Sequence, residues 1–432
     1  MSNFTIKLPK NLYRAAQVRE LDRIAIEDHG IAGFDLMQTA AAAAFHSIRD
    51  HWPQTRHLLI FAGGGNNAGD GYVLAAIAKE AGIGAEVIQI SPSDQLKGDA
   101  RHAYDLASNK QVPFHSFSES NAITESDHAH TIVVDALLGT GIDRDVSGDY
   151  QLAIERINSM SCPVVAVDIP SGLSADTGKC LGCAVEADLT VSFIGMKQGL
   201  LTGEGRDFTG EIVFDSLEIP EEIYTSIAAP ESHAQRIDIN DATRHLLPRR
   251  KSSHKGSHGH VVVIGGDFGF GGAALLAAEA AQRAGSGLVS VITRSSHRPA
   301  FLARKPELMV LGTEDESSDP EALLERASAI AIGPGLGRNK WSRHLFQLAL
   351  STQQARGTPL IIDADGLNLL AERRETGASP KRSNWILTPH PGEAASLLAC
   401  STEEIQSDRF TAVNKMAVLF GGVCLLKGSG SL

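Results

Sequence analysis

Residues 57–71 read HLLIFAGGGNNAGDG, an apolar run of strand length that breaks into three glycines, two asparagines and an aspartate. A short run without polar alternation suits a strand buried on both faces. The pattern recurs downstream. AEVIQI (85–90), TIVVDALL (131–138), CPVVAVDIPSG (162–172), DLTVSFI (188–194) and GEIVFDSL (210–217) are further short apolar runs. Upstream, Val18, Leu21, Ile24 and Ala25 share a helical face over 14–29. A second helix spans 34–49, where the Ala40–Ala44 run allows close packing, and a third follows the loop GGGNNAGDG (63–71) to about Gly82. Strand, turn, helix and strand in repetition predict an α/β fold, a parallel sheet with helices on both faces.

The pattern fails between Ala228 and Gly259, a stretch holding Pro230, Pro248 and RRKSSHKGSHGH (249–260). We read a boundary near 225–240, giving domains of 1–230 and 231–432. HVVVIGG (260–266) opens a second alternating run. A helix over 270–285 follows, then LVSVIT (288–293), AIAIGPGLG (329–337), PLIIDADG (359–366), WILTPHPGE (385–393) and VCLLKGSGS (423–431). These predict a second α/β domain that is no copy of the first.

Composition narrows the function. At 432 residues the chain exceeds one ordinary core. A net charge of −12 argues against a nucleic-acid binder. It leaves phosphate-bearing ligands open, because backbone N–H groups at helix N-termini bind them without net positive charge. Five cysteines, an odd count, make no disulfide framework. Cys180 and Cys183 form a lone C-x-x-C without the second pair that a structural zinc site needs. MSNFTIKLPK lacks the apolar core of a secretory signal, and no apolar run reaches membrane-span length. The expectation is a cytoplasmic protein that engages neither membrane nor nucleic acid, with homo-oligomerisation left open.

Ligands of open parallel sheets bind beyond the carboxyl ends of strands, where the strand order reverses. Three strand ends of the first domain are polar: Asn66-Asn67-Ala68-Gly69-Asp70, Asp135 followed by Gly139-Thr140-Gly141, and Asp168-Ile169-Pro170-Ser171-Gly172. Glycine loops alone are often just tight turns. Buried Asp and Asn, however, need partners. Their oxygens and that of Ser suit a hard cation, and Asp suits general acid/base work. For Asp168 a helix cap is the structural alternative.

GGGNNAGDGY, VVDALLGTG and VDIPSGL, in this order, resemble the NAD(P)H-hydrate epimerases over residues 12–225. The resemblance implies a Rossmann-like three-layer domain that interconverts the R and S epimers of hydrated NADH or NADPH. It implies that Asn66, Asn67, Ala68, Gly69 and Asp70, with Gly139, Thr140, Gly141, Ile142, Asp143, Arg144 and Asp145, line the substrate. It implies a potassium ion on Asn67, Asp135 and Ser171, and it sets Asp168 against the reacting ring as the catalytic group.

HKGSHGHVVVIGG, IGPGLG, IDADGLNLL, LTPHPGE and VCLLKGSGS resemble the ADP- or ATP-dependent NAD(P)H-hydrate dehydratases, whose fold is ribokinase-like. The resemblance implies that Ala273, Gly335 and His390 contact the hydrate. It implies that Lys427, Gly428, Ser429, Gly430 and Ser431 cradle the phosphates of ADP or ATP, used with magnesium. Asp363 and Asp365 would handle metal or phosphate, or merely satisfy local backbone. That family's pattern runs on to a G-x-G-D segment, and this sequence ends at Leu432 without it. The expectation is an incomplete second domain with an exposed apolar edge and weak dehydration. A small-molecule kinase of ribokinase type and a non-catalytic scaffold are the competing readings. The intact Asn67, Asp135, Asp168 and Ser171 favour the enzyme.

Overall fold

The computed structural model describes residues 8–118, 120, 130–226, 234–246, 248–375 and 381–432. The chain divides into two compact units, residues 1–243 and 244–432. The boundary read at 230/231 and most of the opening MSNFTIKLPK fall outside the described residues.

In the first unit, β1 (His57–Ala62), β2 (Gly84–Gln89), β3 (Phe114–Ser116), β4 (Thr131–Ala136), β5 (Val164–Val167), β6 (Leu189–Phe193) and β7 (Glu211–Asp215) make one sheet. Its order is β3-β2-β1-β4-β5-β6-β7, and every neighbouring pair is parallel. The order reverses between β1 and β4, which makes their carboxyl ends the natural ligand crevice. Leu58 and Ile60 pack under α1 (Ala15–Arg23), α2 (Gly33–His51), α3 (Asn66–Glu80) and α4 (Gly98–Asn109). Leu59 and Phe61 alternate onto the other face, against Ile154 and Ile157 of α5 (Asp149–Asn158). That double covering is why β1 shows no polar alternation. A short antiparallel pairing of Asn11–Leu12 with Ala234–Gln235 has no signal in the sequence pattern.

In the second unit, β8 (His260–Ile264), β9 (Leu288–Thr293), β10 (Met309–Gly312), β11 (Ala329–Ile332), β12 (Leu360–Ile362), β13 (Trp385–Leu387) and β14 (Val423–Cys424) form another seven-stranded sheet. The order β10-β9-β8-β11-β12-β13-β14 repeats the same logic, again all parallel. Sequence reading missed β10, and it saw only the first of the helices α6 (Gly271–Arg283), α7 (Lys340–Arg356), α8 (Asp365–Glu375), α9 (Pro391–Leu398) and α10 (Arg409–Phe420). In both units the glycine after the first central strand packs against the loop beyond its switch-point neighbour. A side chain would lie 1.9 Å from the Leu137 carbonyl oxygen at Gly63, and 2.2 Å from that of Pro334 at Gly265. Only glycine lets the backbones meet so closely.

The second sheet is covered unequally. One face carries Ile332, Ile362, Trp385 and Leu387, sealed by residues such as Phe346, Leu370 and Met416. On the other face α6 covers Val263 and Val291. Beyond it Ile361, Ile386 and Val423 stand side by side in register, 36%, 39% and 58% exposed. Adjacent residues of β13 should therefore respond oppositely. Leu387→Ala should cost about 2–5 kcal/mol through an unfilled cavity. Ile386→Thr should cost less than about 1 kcal/mol and reduce binding of a hydrophobic dye. Denaturant unfolding of the two variants checks this; equal losses would show that the exposed row is covered in solution.

Candidate active site

At the switch point of the first sheet lies a pocket of about 740 Å³. Asn66, Asn67, Asp70, Gly139, Thr140, Gly141, Ile142 and Asp168 line it. Asp143, Arg144 and Asp145 are not part of its wall. One correction concerns the glycine stretch: the loop ends at Gly65, and Asn66–Asp70 is the first turn of α3. Gly65 at the N-cap has no side chain to cap that helix, so its first amides and dipole face the pocket, an arrangement suited to an anion. Ala68 and Gly69 are buried beneath it. A side chain at Gly69 would displace the end of Met37 of α2 and lie 3.2 Å from the Ala100 Cα of α4, so a small residue here lets the helices approach closely.

Asn67, Asp135 and Ser171 converge. Ser171 Oγ donates to Asp135 Oδ1 at 2.6 Å, and the Ser171 amide donates to Asp135 Oδ2 at 2.7 Å. The Leu138 amide donates to Ser171 Oγ at 2.8 Å, and the Leu138 carbonyl accepts from Asn67 Nδ2 at 3.1 Å. Burial pushes Asp135 up to about 6, against the lowering pull of its bonds from Ser171 and Leu137. Asn67 Oδ1 is buried with no hydrogen-bond partner among the described residues. An orphaned amide oxygen beside a carboxylate and a hydroxyl is a donor set for a hard monovalent cation.

Asp168 sits just past β5 with φ +68, a left-handed conformation that costs a non-glycine residue energy. It caps no helix. Its Oδ1 accepts from the Phe193 amide at 3.1 Å and from Lys197 Nζ. Lys197 is 0% exposed, and it also donates to the Phe193 carbonyl at 2.9 Å and to Ser192 Oγ at 3.3 Å. Ile194, also on the pocket wall, is likewise left-handed at φ +61. Asp22 of α1 and Asp70 of α3 share the wall with Asp168. Sequence reading missed Lys197 and Asp22. Lys197 lies in an unbroken buried run, Leu189–Leu200, where a charge demands a partner. Asp22 is four residues after Val18, on the apolar face of α1.

In the second unit the loops after β8 and β11 are joined, Gly266 donating to the Pro334 carbonyl at 3.0 Å and Asp267 to that of Gly335 at 2.7 Å. Ala273 and Gly335 meet there, since a side chain on Gly335 would lie 3.2 Å from Ala273 Cβ. Arg294, also missed, ties these loops to the turn after β10, bonding Asp267 at 2.7 Å and Glu314 at 2.8 Å. His390 caps α9: its Nδ1 accepts from Gly392 at 3.0 Å and Glu393 at 3.3 Å. Lys427 Nζ donates to Asp363 Oδ1 at 2.6 Å. Asp365 accepts from the Gly337 amide at 2.9 Å, which assigns it to bracing the loop after β11. Residues 427–431 form a closed loop, pinned by paired backbone bonds between Leu426 and Leu432 at 2.8 and 3.1 Å. Beneath it the buried Arg409 donates to the carbonyls of Leu426, Lys427 and Gly430 at 3.3–3.4 Å. Among the described residues no cluster of three or more His, Cys, Asp or Glu could hold a metal, and all five cysteines are free.

Residues 33–199 match the family described as YjeF-related protein N-terminus, and residues 261–432 match NAD(P)H-hydrate dehydratase. The chain is 41% identical to a bifunctional NAD(P)H-hydrate repair enzyme of Coxiella burnetii, over 98% of this chain and 82% of that protein. It is 40% identical to the one of Escherichia coli K12, over 100% of this chain and 80% of that protein. A Bacillus subtilis ADP/ATP-dependent NAD(P)H-hydrate dehydratase, co-crystallised with ATP and magnesium, is 28% identical, covering 44% of this chain and 66% of that one at a TM-score of 0.35. The chain belongs to the bifunctional NAD(P)H-hydrate repair enzymes, an epimerase part joined to an ADP-dependent dehydratase part.

Proposed function

We propose that the pocket of the first unit takes hydrated NADH or NADPH and inverts its hydroxyl-bearing ring carbon, with Asp168 moving the proton. The observation that carries this is a carboxylate held in strained backbone by a wholly buried lysine, at the switch point and beside an open helix N-terminus. The α3 terminus and the Gly139–Ile142 turn are placed to take the diphosphate. A potassium ion on Asn67, Asp135 and Ser171 would offset the Asp135 charge and satisfy Asn67 Oδ1. In the second unit, Ala273, Gly335 and His390 would meet the hydrate, and Lys427, Gly428, Ser429, Gly430 and Ser431 the phosphates of ADP or ATP with magnesium. Hydroxide leaves poorly and phosphate well, so a nucleotide that phosphorylates the hydroxyl prepares the elimination. Among the described residues no helix is long and apolar enough to cross a membrane, and we place the enzyme in the cytoplasm.

Asp168→Asn should lower epimer exchange by roughly two to four orders of magnitude. It also strands the buried Lys197 charge, which costs about 3–5 kcal/mol. The Asp168→Asn, Lys197→Met double variant should regain thermal stability without regaining turnover. Exchange at the unsubstituted rate in either variant would remove Asp168 from the chemistry.

Asp135→Ala should weaken substrate binding and abolish any gain from potassium. The comparison is the Michaelis constant in potassium against that in a bulky organic cation, for both proteins. An unchanged potassium effect in Asp135→Ala would sink the cation assignment.

A further inference from the structure

The pocket carries more acid than one proton-moving group needs. Asp22, Asp70, Asp99 and Asp168 all line it, reaching it from α1, α3, α4 and the end of β5, and its cations are Arg19 and Lys197. Lys197 is committed to Asp168. Among the described residues no hydrogen bond reaches the carboxyl of Asp22 or of Asp70, and both are half-buried on the pocket wall. A buried carboxyl close to other carboxyls is driven toward its protonated form. Burial pushes Asp70 well above the usual carboxylate range, and the neighbouring Asp168 and Asp22 push it further. Burial likewise pushes Asp22 up to about 6, with Lys197 pulling it down and Asp168 pushing it up.

Inversion at the hydroxyl-bearing carbon asks for two such groups. That carbon is bonded to the ring nitrogen. An acid protonates the hydroxyl, the C–O bond breaks, and the nitrogen lone pair forms a C=N bond as water departs. Water then adds to the opposite face, the C=N electron pair returns to nitrogen, and a base takes the surplus proton. One water leaves and one enters, and one proton passes from the acid on one face to the base on the other. The reverse reaction exchanges the roles, so the pair must hold one proton between them.

We propose that Asp22, which shares the pocket wall with Asp168, is the second acid/base residue of this inversion. This rests on the reading of the first unit as the epimerising one. Asp22 is chosen over Asp70 because it reaches the pocket from α1, whereas Asp70 belongs to the first turn of α3, the terminus placed to take the diphosphate.

The test is the pH dependence of epimer exchange by the full chain, either purified epimer being the substrate. The unsubstituted chain should slow as pH rises through the region near 6, where Asp22 gives up the shared proton. Asp22→Asn should lower turnover roughly 10²–10⁴-fold, lose that alkaline fall, and keep its affinity for either epimer within a few-fold. Asp22→Glu, which keeps the acid on a longer arm, should retain part of the rate with the fall displaced along the pH axis. An Asp22→Asn variant with an unchanged rate, or with the same alkaline fall, overturns the proposal. So does a fall lost in Asp70→Asn and kept in Asp22→Asn, and so does an Asp22→Glu profile that does not move. The two readings fail differently. Absence of exchange by the unsubstituted chain defeats the epimerase reading, whereas loss of exchange in Asp168→Asn but not in Asp22→Asn defeats only this inference.

Discussion

An ammonium group taken out of water is tolerated only where opposite charge and acceptors meet it. Lys197 is met by the Asp168 carboxylate, the Ser192 hydroxyl and the Phe193 carbonyl. This contact joins the ends of β5 and β6, and much of the first unit's site hangs on it. It holds Asp168 in a left-handed conformation that its backbone would not choose. The same ammonium supplies the attraction that tempers the raised Asp22 and Asp70. Buried ion pairs are weak sources of stability but strong constraints on geometry. Here the geometry is a carboxylate aimed at the crevice of a parallel sheet.

The two units apply one architectural rule to different ends. Each has seven parallel strands with an order reversal, and a glycine that brings two loops together at it. In the first unit the reversal gathers acids, an uncapped helix and an orphaned amide oxygen around one pocket. In the second it gathers Ala273 and Gly335, while Lys427 and Asp363 form a separate pair along the same sheet edge. Shared topology thus explains where each site lies, and the side chains explain what it can do.

Much of this was legible in the sequence, for definite reasons. Parallel strands buried on both faces read as unbroken apolar runs, and their glycine-rich ends mark the crevice. That made β1, β4, β5 and β8 plain, and it brought Asn67, Asp135, Asp168 and Ser171 to attention. Short elements escaped. The Met309–Gly312 strand and the Asn11–Leu12 pairing are too brief for periodicity. The start of α3 was mistaken for loop because NNAGD has poor helix propensity, and the pull of tertiary packing on Ala68 and Gly69 overrides it. Lys197 sits in an unbroken buried run, and Asp22 sits on the buried face of an otherwise polar helix. Such positions carry no motif, and only the burial around them shows that their charges must be used.

Epimer exchange in the first unit is the activity on which the roles of Asp168, Lys197 and Asp22 all depend. Its most direct test mixes the purified chain with one epimer of hydrated NADH, without nucleotide, and follows the epimer ratio by chromatography. Approach to the equilibrium ratio far faster than in buffer alone, with no dihydronicotinamide formed, is the outcome the account requires. An epimer ratio that drifts no faster than the uncatalysed control would contradict it.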